Sequence, residues 1–236
     1  MQHIKNKFIR NLFVFFERCF GIRNNLYYAK NVVLFDQYNY EEVKKQRSSL
    51  LNEYIINLSN YVPPHFEKEL IDNANLKNRI LYFGRINNDQ KDVNLLLEIN
   101  QNLHLIDFYG KGNQNLIAKL GSAYKGFLSN NDDFKNLFIK YKFMILMSNY
   151  EGFPFSLTQS LCYGLPIIVL DTFPSAKYLV NNNQNGFLIE PHQTLDEYIQ
   201  KIKQCYDINN KEYLQLSLNA YHFAQTNLSD EQFEQK

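Results

Sequence analysis

The 236-residue sequence predicts an α/β protein built on a parallel β-sheet that helices cover on both faces. Two observations lead to this fold class. Short apolar runs of strand length alternate with helical patterns along most of the chain. The runs are also hydrophobic throughout, which is typical of strands buried on both faces of a doubly wound, parallel sheet.

The predicted elements follow one another in this alternating order. Two strands lie in the first part of the chain, "NVVLFD" (31–36) and "YIINLS" (54–59), with a helical segment, "YNYEEVKKQRSSLLN", between them. The paired prolines of "NYVPP" break regular structure, so residues 62–75 are predicted to form a linker. The later strands are predicted in "RILYFG", "HLIDFYG", "KGFL", "KFMILMS", "LPIIVLD" and "GFLIEP", and the later helices in "DVNLLLEINQNL", "NQNLIAKLG", "DDFKNLFIKY", a short stretch from Phe155 and two segments after Thr194.

Composition and charge exclude several classes of protein. The chain has 25 Lys and Arg against 24 Asp and Glu, so its formal net charge of +1 provides no basic field for nucleic acid. The three cysteines, Cys19, Cys162 and Cys205, are widely spaced and match no metal or redox motif. We therefore expect reduced cysteines and a cytoplasmic location.

The N-terminal segment is basic and then apolar. Its apolar run "NLFVFF" is interrupted at once by Glu17 and Arg18, so it is too short for a signal peptide or a membrane span. An amphipathic helix is predicted instead. Packing against protein is the favoured interpretation, and peripheral contact with the inner face of the membrane is the alternative.

Glycines, cations and an acid follow the predicted strands directly. In an open parallel sheet the carboxyl ends of the strands lie at one edge, where ligands bind, so these residues are expected to gather there. They are Gly84, Arg85 and Lys91 after the first strand beyond the linker, Gly110, Lys111 and Gly112 after the next, Ser148, Glu151, Gly152 and Pro154 after "FMILM", and Asp171 after "IIVL".

These residue types suit a ligand with an anionic end and a hydroxyl-bearing end. Arg85 and Lys91 are the usual pair of cations for a diphosphate. Gly152 permits close backbone approach, and the helix that starts near Phe155 offers free N–H groups. Glu151 repels phosphate but accepts hydrogen bonds from sugar hydroxyls. A diphosphate and a sugar in one site indicate a nucleotide sugar.

Several motifs in one order resemble a known family. "GRINNDQK", "FYGKG", "SNYEGFPFSLTQSLCYGLPIIVLD" and "NGFLIEP" resemble the donor-binding half of retaining, GT-B-fold enzymes of glycosyltransferase family 4. The resemblance covers the chain from about residue 77 to its C-terminus. It implies a Rossmann-like doubly wound domain, the C-terminal half of a GT-B fold, over residues 76–236.

The resemblance also implies roles for individual residues. Arg85 and Lys91 would hold the donor diphosphate. Glu151 would be the first acid of a Glu-x7-Glu motif and would hydrogen-bond hydroxyls of the transferred sugar. Backbone N–H groups near the phosphates would complete the catalytic site without a bound metal. The donor-binding residues expected on this basis are Gly84, Gly110, Gly152, Phe153, Pro154, Phe155, Ser156 and Gln159. The donor, expected to be a UDP-sugar, is a co-substrate, and no separate cofactor is expected.

Three features depart from the family pattern. The second acid of the motif is Gln159, whose amide can still hydrogen-bond a ribose hydroxyl. The family often has Gly-Pro-x-Glu where this chain has Phe173, Pro174, Ser175 and Ala176, so no acid stands there. Residues 1–75 are interpreted as a remnant of the acceptor-side domain plus linker, a partial α/β segment that is expected to be either truncated or completed by a partner chain.

Several of these residues also have plain structural interpretations. Ser156 and Gln159 fit a capping box, with Ser at the N-cap and Gln at N3. Arg85 and Lys91 could be solvated charges, and Glu151 could favour a helix N-terminus through the dipole. Gly110 and Gly112 could serve a turn rather than a phosphate contact.

The sequence thus leaves three functional hypotheses. The leading one is transfer of a hexose from a nucleotide diphosphate sugar to a glycan or lipid-linked glycan in surface polysaccharide or lipopolysaccharide synthesis. The second is a nucleotide-sugar-binding module without turnover, which Gln159 favours. The third is a poorly folded fragment.

Overall fold

A computed structural model describes residues 61–73, 78–128 and 132–229, together with the backbone of two short strands nearer the N-terminus. The chain divides into two compact units, residues 1–58 and residues 59–236. The predicted N-terminal helix and the helical segment of residues 38–52 lie outside the described residues.

The first unit contains a parallel pair of strands. Strand β1 (Val32–Leu34) pairs with β2 (Glu53–Ile55), and Val33 lies opposite Tyr54. Strands are therefore confirmed in "NVVLFD" and at the start of "YIINLS", and each begins within one residue of its predicted start.

The second unit contains a six-stranded sheet in which every neighbouring pair is parallel. Its strands are β3 (Ile80–Phe83), β4 (Ile106–Tyr109), β5 (Tyr124–Gly126), β6 (Phe143–Leu146), β7 (Ile167–Leu170) and β8 (Gly186–Ile189). The spatial order is β5-β4-β3-β6-β7-β8. This order runs outward in both directions from β3 and β6, which is the doubly wound arrangement. The predicted Rossmann-like parallel sheet is confirmed.

Eight helices are described in the second unit. They are α1 (Glu67–Asn73), α2 (Val93–Leu103), α3 (Gln114–Leu120), α4 (Asp132–Phe138), α5 (Phe155–Cys162), α6 (Pro174–Leu179), α7 (Leu195–Tyr206) and α8 (Asn210–Asn227). The central strands β6 and β7 are buried at all four positions. Burial on both faces explains why these strands read as continuous apolar runs.

Residues 62–75, which the sequence predicts to be a linker, contain helix α1. Phe66 and Leu70 are buried against Tyr221 of α8. The Tyr221 hydroxyl donates to the Pro63 carbonyl at 2.5 Å and accepts from the Phe66 N–H at 3.3 Å. This segment therefore packs against helix α8 of the same unit through its apolar side chains, although helix-breaking prolines precede it.

Helix α6 was not predicted from the sequence. It is six residues long and begins with Pro174 at its first turn, where proline is tolerated because the N–H of that position has no intrahelical partner. Two turns of helix are too short to show a reliable periodicity.

An ion pair joins the amino-terminal ends of β3 and β4. Arg79 donates to both carboxylate oxygens of Asp107, at 2.8 and 2.7 Å. Tyr141 donates to the same carboxylate at 3.1 Å, and the Lys125 amine lies 3.6 Å away. The hydrogen bonds to Asp107 raise the pKa of Arg79 above its ordinary value. Asp107 is therefore a buried carboxylate whose partners all come from the protein.

Within the described residues, no helix has both the length and the apolar character needed to cross a membrane.

Candidate active site

The predicted site residues lie beyond the carboxyl ends of β3 and β6. These two strands are neighbours in the sheet but not in the chain, so the connections that leave them run to opposite sides. A crevice at such a switch point is the usual ligand site of a doubly wound sheet. Gly84 and Arg85 follow β3, and the loop that carries Glu151 follows β6.

The loop between β3 and α2 is shaped by short polar side chains. The Asn87 side chain accepts from the Lys91 N–H at 3.1 Å, and the Asn88 side chain accepts from the Asn94 N–H at 2.9 Å. Asp92 is the N-cap of α2. Asparagine and aspartate form such local hydrogen bonds readily. These bonds hold the backbone of Lys91 just before the N-terminus of α2.

Asn149 fastens the loop after β6 to the loop after β3. Its N–H donates to the Gln90 carbonyl at 2.7 Å, and its side chain donates to the Asp89 carbonyl at 3.3 Å. Two segments that lie 60 residues apart in the sequence are thereby held side by side.

The structure brings Arg85, Lys91 and Glu151 together. The Lys91 amine donates to one oxygen of the Glu151 carboxylate at 2.5 Å, and only 8% and 7% of the two side chains is exposed. Gln90 donates to the other oxygen at 3.0 Å and accepts from the Arg85 guanidinium at 2.5 Å. Two cations and one carboxylate therefore form a single connected group.

Tyr82 supports this group from the buried side. Its hydroxyl donates to the Arg85 carbonyl at 2.5 Å. Burial, and then the nearby Glu151 charge, raises the pKa of Tyr82 above its ordinary value. Tyr82 therefore remains a neutral donor at any physiological pH.

The glycines of the site serve two different purposes. A Cβ on Gly110 would lie 1.8 Å from the Gly84 carbonyl oxygen, and one on Gly112 would lie 2.1 Å from that of Ile86. These glycines let the loops after β3 and β4 touch, which supports their structural interpretation. A Cβ on Gly152 would meet nothing within 4 Å, so this glycine is not required by contacts with the described chain.

Helix α5 begins earlier than the predicted capping box requires. Its N-cap is Pro154, which makes no side-chain capping bond, and Ser156 already lies inside the first turn. The capping-box interpretation of Ser156 and Gln159 is therefore wrong, because the N-cap position is two residues before Ser156. Gln159 is a half-buried residue of the same helix.

The residues before α5 differ in what they can offer a ligand. Phe153 and Pro154 are buried, whereas Gly152 and Phe155 are exposed. Proline has no N–H, so Pro154 cannot donate to a phosphate. The first turn of a helix leaves N–H groups without intrahelical partners, and these remain the candidate donors here.

Sequence reasoning missed three residues that build the site. Gln90 links Arg85 to Glu151, as described above. The Ser175 hydroxyl donates to the Gly152 carbonyl at 2.8 Å, and the Thr172 hydroxyl donates to the Ser148 carbonyl at 2.5 Å. Ser175 and Gly152 lie 23 residues apart, so only the packing of α6 against the loop that carries Glu151 reveals this contact.

Ser148 contributes a further polar group at the carboxyl end of β6. Its side chain is fully buried, and its hydroxyl oxygen has no hydrogen-bond partner in the part of the chain that the structure describes. Buried polar groups ordinarily have partners, so such exceptions are notable near a proposed ligand site.

A groove of about 360 Å³ lies away from these residues. It runs between β8 and α8 and is lined by Asn183, Gln184, Phe187, Glu212, Gln215 and Asn219. Because none of the predicted site residues lines it, the groove does not enter the account of the candidate site.

A doubly wound sheet with two cations and a carboxylate at its switch point is an α/β architecture that suits a nucleotide ligand. Residues 100–223, just over half of the chain, match the family described as glycosyl transferases group 1. The chain belongs to this family.

Two curated relatives illustrate the similarity. An uncharacterized glycosyltransferase of Haemophilus influenzae is 37% identical over 73 residues, which is 30% of this chain and 20% of that protein. The poly(ribitol-phosphate) alpha-N-acetylglucosaminyltransferase of Staphylococcus aureus is 25% identical over 195 residues, or 70% of this chain and 35% of that protein. The chain thus spans about a fifth to a third of the length of these relatives.

Solved structures share the fold. The S. aureus protein TarM superposes with a TM-score of 0.70 and 20% identity, covering 91% of this chain and 44% of that one. Anabaena Alr3699/HepE, in complex with UDP and glucose, superposes with a TM-score of 0.71 and 14% identity, covering 92% and 64%. At these identities the likeness establishes the fold alone.

Proposed function

We propose that this chain binds a UDP-linked hexose at the carboxyl edge of its sheet and transfers the hexose to a glycan acceptor. The observation that carries the proposal is the connected group of Arg85, Lys91 and Glu151 at the switch point of a glycosyl transferases group 1 domain. The crystallised relatives include complexes with UDP and glucose and with UDP and GlcNAc, which supports a UDP-sugar as the donor.

The ion pair between Lys91 and Glu151 suits a ligand with two chemically different ends. The amine and the carboxylate form an ion pair in which their charges neutralise each other. A diphosphate would take the place of Glu151 beside Lys91, and sugar hydroxyls would take the place of Lys91 beside Glu151. A ligand that has both an anion and hydroxyls would compensate both of these buried charges.

The same residues would assist bond breaking. Cleavage at the anomeric carbon places negative charge on the departing nucleotide diphosphate. Arg85 and Lys91 are already held in position to stabilise that charge, so no metal ion is required for this purpose. We further propose that transfer retains the anomeric configuration, as the resemblance to family 4 implies.

The acceptor and the cellular setting belong to the same proposal. A surface polysaccharide or lipopolysaccharide is the proposed acceptor, made by an enzyme on the cytoplasmic side of the membrane. The S. aureus relative is, by its name, a transferase that acts on poly(ribitol-phosphate), which supports a polymeric acceptor. A partner chain is proposed because the related GtfA/B assembly contains two subunits.

The direct test is to incubate the purified chain with a panel of UDP-sugars and acceptor glycans and to measure released UDP. Glu151→Gln is the inactive comparison, and Asp207→Asn, on the exposed surface, is the matched control. We expect UDP release from wild type and the control only. If wild type neither releases UDP nor binds it in a calorimeter, the proposal is wrong.

Binding without turnover is a second candidate function, favoured by Gln159 in place of the second acid of the family motif. The two candidates separate in the same experiment. Calorimetry would detect UDP in both cases, whereas released UDP would appear only if the chain is a transferase. Gln159→Glu should then raise UDP-sugar affinity if the amide contacts ribose.

A further inference from the structure

Gln90 makes hydrogen bonds with both of the oppositely charged parts of the candidate site. Its side-chain oxygen accepts from the Arg85 guanidinium at 2.5 Å. Its side-chain nitrogen donates to the Glu151 carboxylate at 3.0 Å and to the Tyr150 carbonyl at 3.2 Å. Its backbone carbonyl accepts from Asn149. A primary amide suits this position because it offers one acceptor and one donor group.

The two charges that Gln90 touches differ in mobility. Arg85 is exposed and has a long side chain, whereas the Glu151 side chain is 93% buried, since only 7% of it is exposed. Without Gln90, the guanidinium would have no described side-chain partner, and it would sample many rotamers in water. Ordering such a side chain on binding opposes affinity, so a group that orders it beforehand strengthens binding.

We infer that Gln90 is a positioning residue. Its amide holds the Arg85 guanidinium and the Glu151 carboxylate at a fixed relative position before a donor binds. The inference rests on the proposed function and adds a residue to which no role has been assigned. Gln90 acts through its neighbours: Arg85 would contact the diphosphate and Glu151 the sugar. The amide would set the separation between these two contacts.

A double-mutant cycle on UDP binding tests this inference. The four proteins are wild type, Gln90→Met, Arg85→Ala and the double variant, with UDP as the probe in a calorimeter. Methionine fills nearly the same space as glutamine but lacks both polar groups, so it preserves packing and removes the two hydrogen bonds. We expect Gln90→Met to weaken UDP binding about fivefold in the wild-type background.

The inference requires that this effect disappear when Arg85 is absent. In the Arg85→Ala background, Gln90→Met should change the dissociation constant for UDP less than about twofold, because residues that act through one another are not additive. Gln200→Met, at an exposed position of α7, is the matched control and should leave UDP binding unchanged. The melting temperatures of all variants establish that each protein is folded.

The possible outcomes separate the inference from the function on which it rests. If Gln90→Met weakens UDP binding equally with and without Arg85, Gln90 does not act through Arg85 and the inference is overturned. An unchanged affinity in the Arg85-containing protein overturns it as well. Failure of wild type to bind UDP would instead overturn the proposed function, and the inference would fall with it.

A second variant tests the hydrogen bond from the Gln90 side-chain nitrogen to Glu151. Gln90→Glu keeps an acceptor for Arg85 but replaces the donor that faces Glu151 with a like charge. We expect this variant to bind UDP-glucose at least about tenfold more weakly than wild type, a larger loss than Gln90→Met shows. If the glutamate variant binds UDP-glucose as tightly as wild type, Gln90 does not position Glu151.

Discussion

Two ion pairs, each with a buried carboxylate, stand at opposite ends of the same sheet, and they differ in their surroundings. Arg79 and Asp107 join the amino-terminal ends of β3 and β4, whereas Lys91 and Glu151 join the loops beyond the carboxyl ends of β3 and β6. Asp107 receives hydrogen bonds from Arg79 and Tyr141, with Lys125 nearby. The Lys91–Glu151 pair borders exposed groups, among them Arg85 and Gly152.

This difference distinguishes a structural pair from a candidate functional pair. The Asp107 carboxylate already accepts three hydrogen bonds from protein donors and links two strands, so a structural role accounts for it. A pair beside exposed cations and an unobstructed glycine can exchange its partners when a ligand arrives. A buried ion pair adds little net stability in general, so a functional reason for keeping one is informative.

The largest expected effect comes from breaking the pair at the carboxyl edge. Glu151→Gln keeps the shape of the side chain but removes the charge that would bind sugar hydroxyls, so we expect sugar transfer to fall about 100- to 1000-fold. Affinity for UDP without sugar should be retained, because Lys91 then lacks its carboxylate competitor. The two measurements are UDP release and calorimetry, and full transfer activity in this variant would refute the assigned role.

Breaking the Arg79–Asp107 pair at the amino-terminal edge should lower stability and leave UDP binding unchanged. Arg79→Ala leaves Asp107 buried with fewer donors, and we expect a loss of about 2 kcal/mol in the free energy of unfolding. For a protein of this size that loss lowers the melting temperature by about 4–8 °C. UDP affinity of the folded protein should not change. A variant that melts like wild type but no longer binds UDP would contradict the distinction between the two edges.

A smaller effect is expected at the exposed cation of the candidate site. Arg85→Ala should weaken UDP binding about tenfold, since a hydrogen bond to a charged group contributes about 1.5–3 kcal/mol. Its melting temperature should stay within about 1 °C of wild type, because surface substitutions rarely alter stability. Lys203→Ala, at another exposed position, provides the matched control. Equal UDP affinity in wild type and Arg85→Ala would place the diphosphate elsewhere.

The smallest expected effect comes from adding one methyl group. Gly152→Ala meets no protein atom within 4 Å, so stability should not change. A diphosphate close to this backbone would meet the new methyl group, and we expect UDP affinity to fall about fivefold. Gly112→Ala is the contrasting variant, because its Cβ would lie 2.1 Å from the Ile86 carbonyl oxygen and should lower the melting temperature. Unaltered UDP binding by Gly152→Ala would exclude close approach at residue 152.

Much of this fold was predictable because its signals are local. The strands β3, β4, β6 and β7 are apolar runs, and glycines and charges follow them directly. Helices α1 and α6 were missed for physical reasons: α1 follows two prolines and is held by its contact with Tyr221, while α6 has only two turns. Tertiary packing stabilises both helices, and both are too short for a hydrophobic periodicity in the sequence to predict them.

The candidate site was predictable only in part. Arg85, Lys91 and Glu151 could be named because each follows a strand whose carboxyl end had to lie at one edge. Gln90 and Ser175 could not, because neither follows a strand directly and neither residue type is specific to a ligand site. Their contacts, to Glu151 and to the Gly152 carbonyl, span 61 and 23 residues and exist only once the sheet has formed.

The most direct measurement is to titrate UDP into the isotopically labelled full chain and follow the backbone amide resonances by NMR. The account predicts that shifts concentrate in residues 84–91 and 148–156, whereas Arg79 and Asp107 at the amino ends of the strands stay unperturbed. Shifts confined to the amino-terminal edge, or no shifts at millimolar UDP, would contradict it.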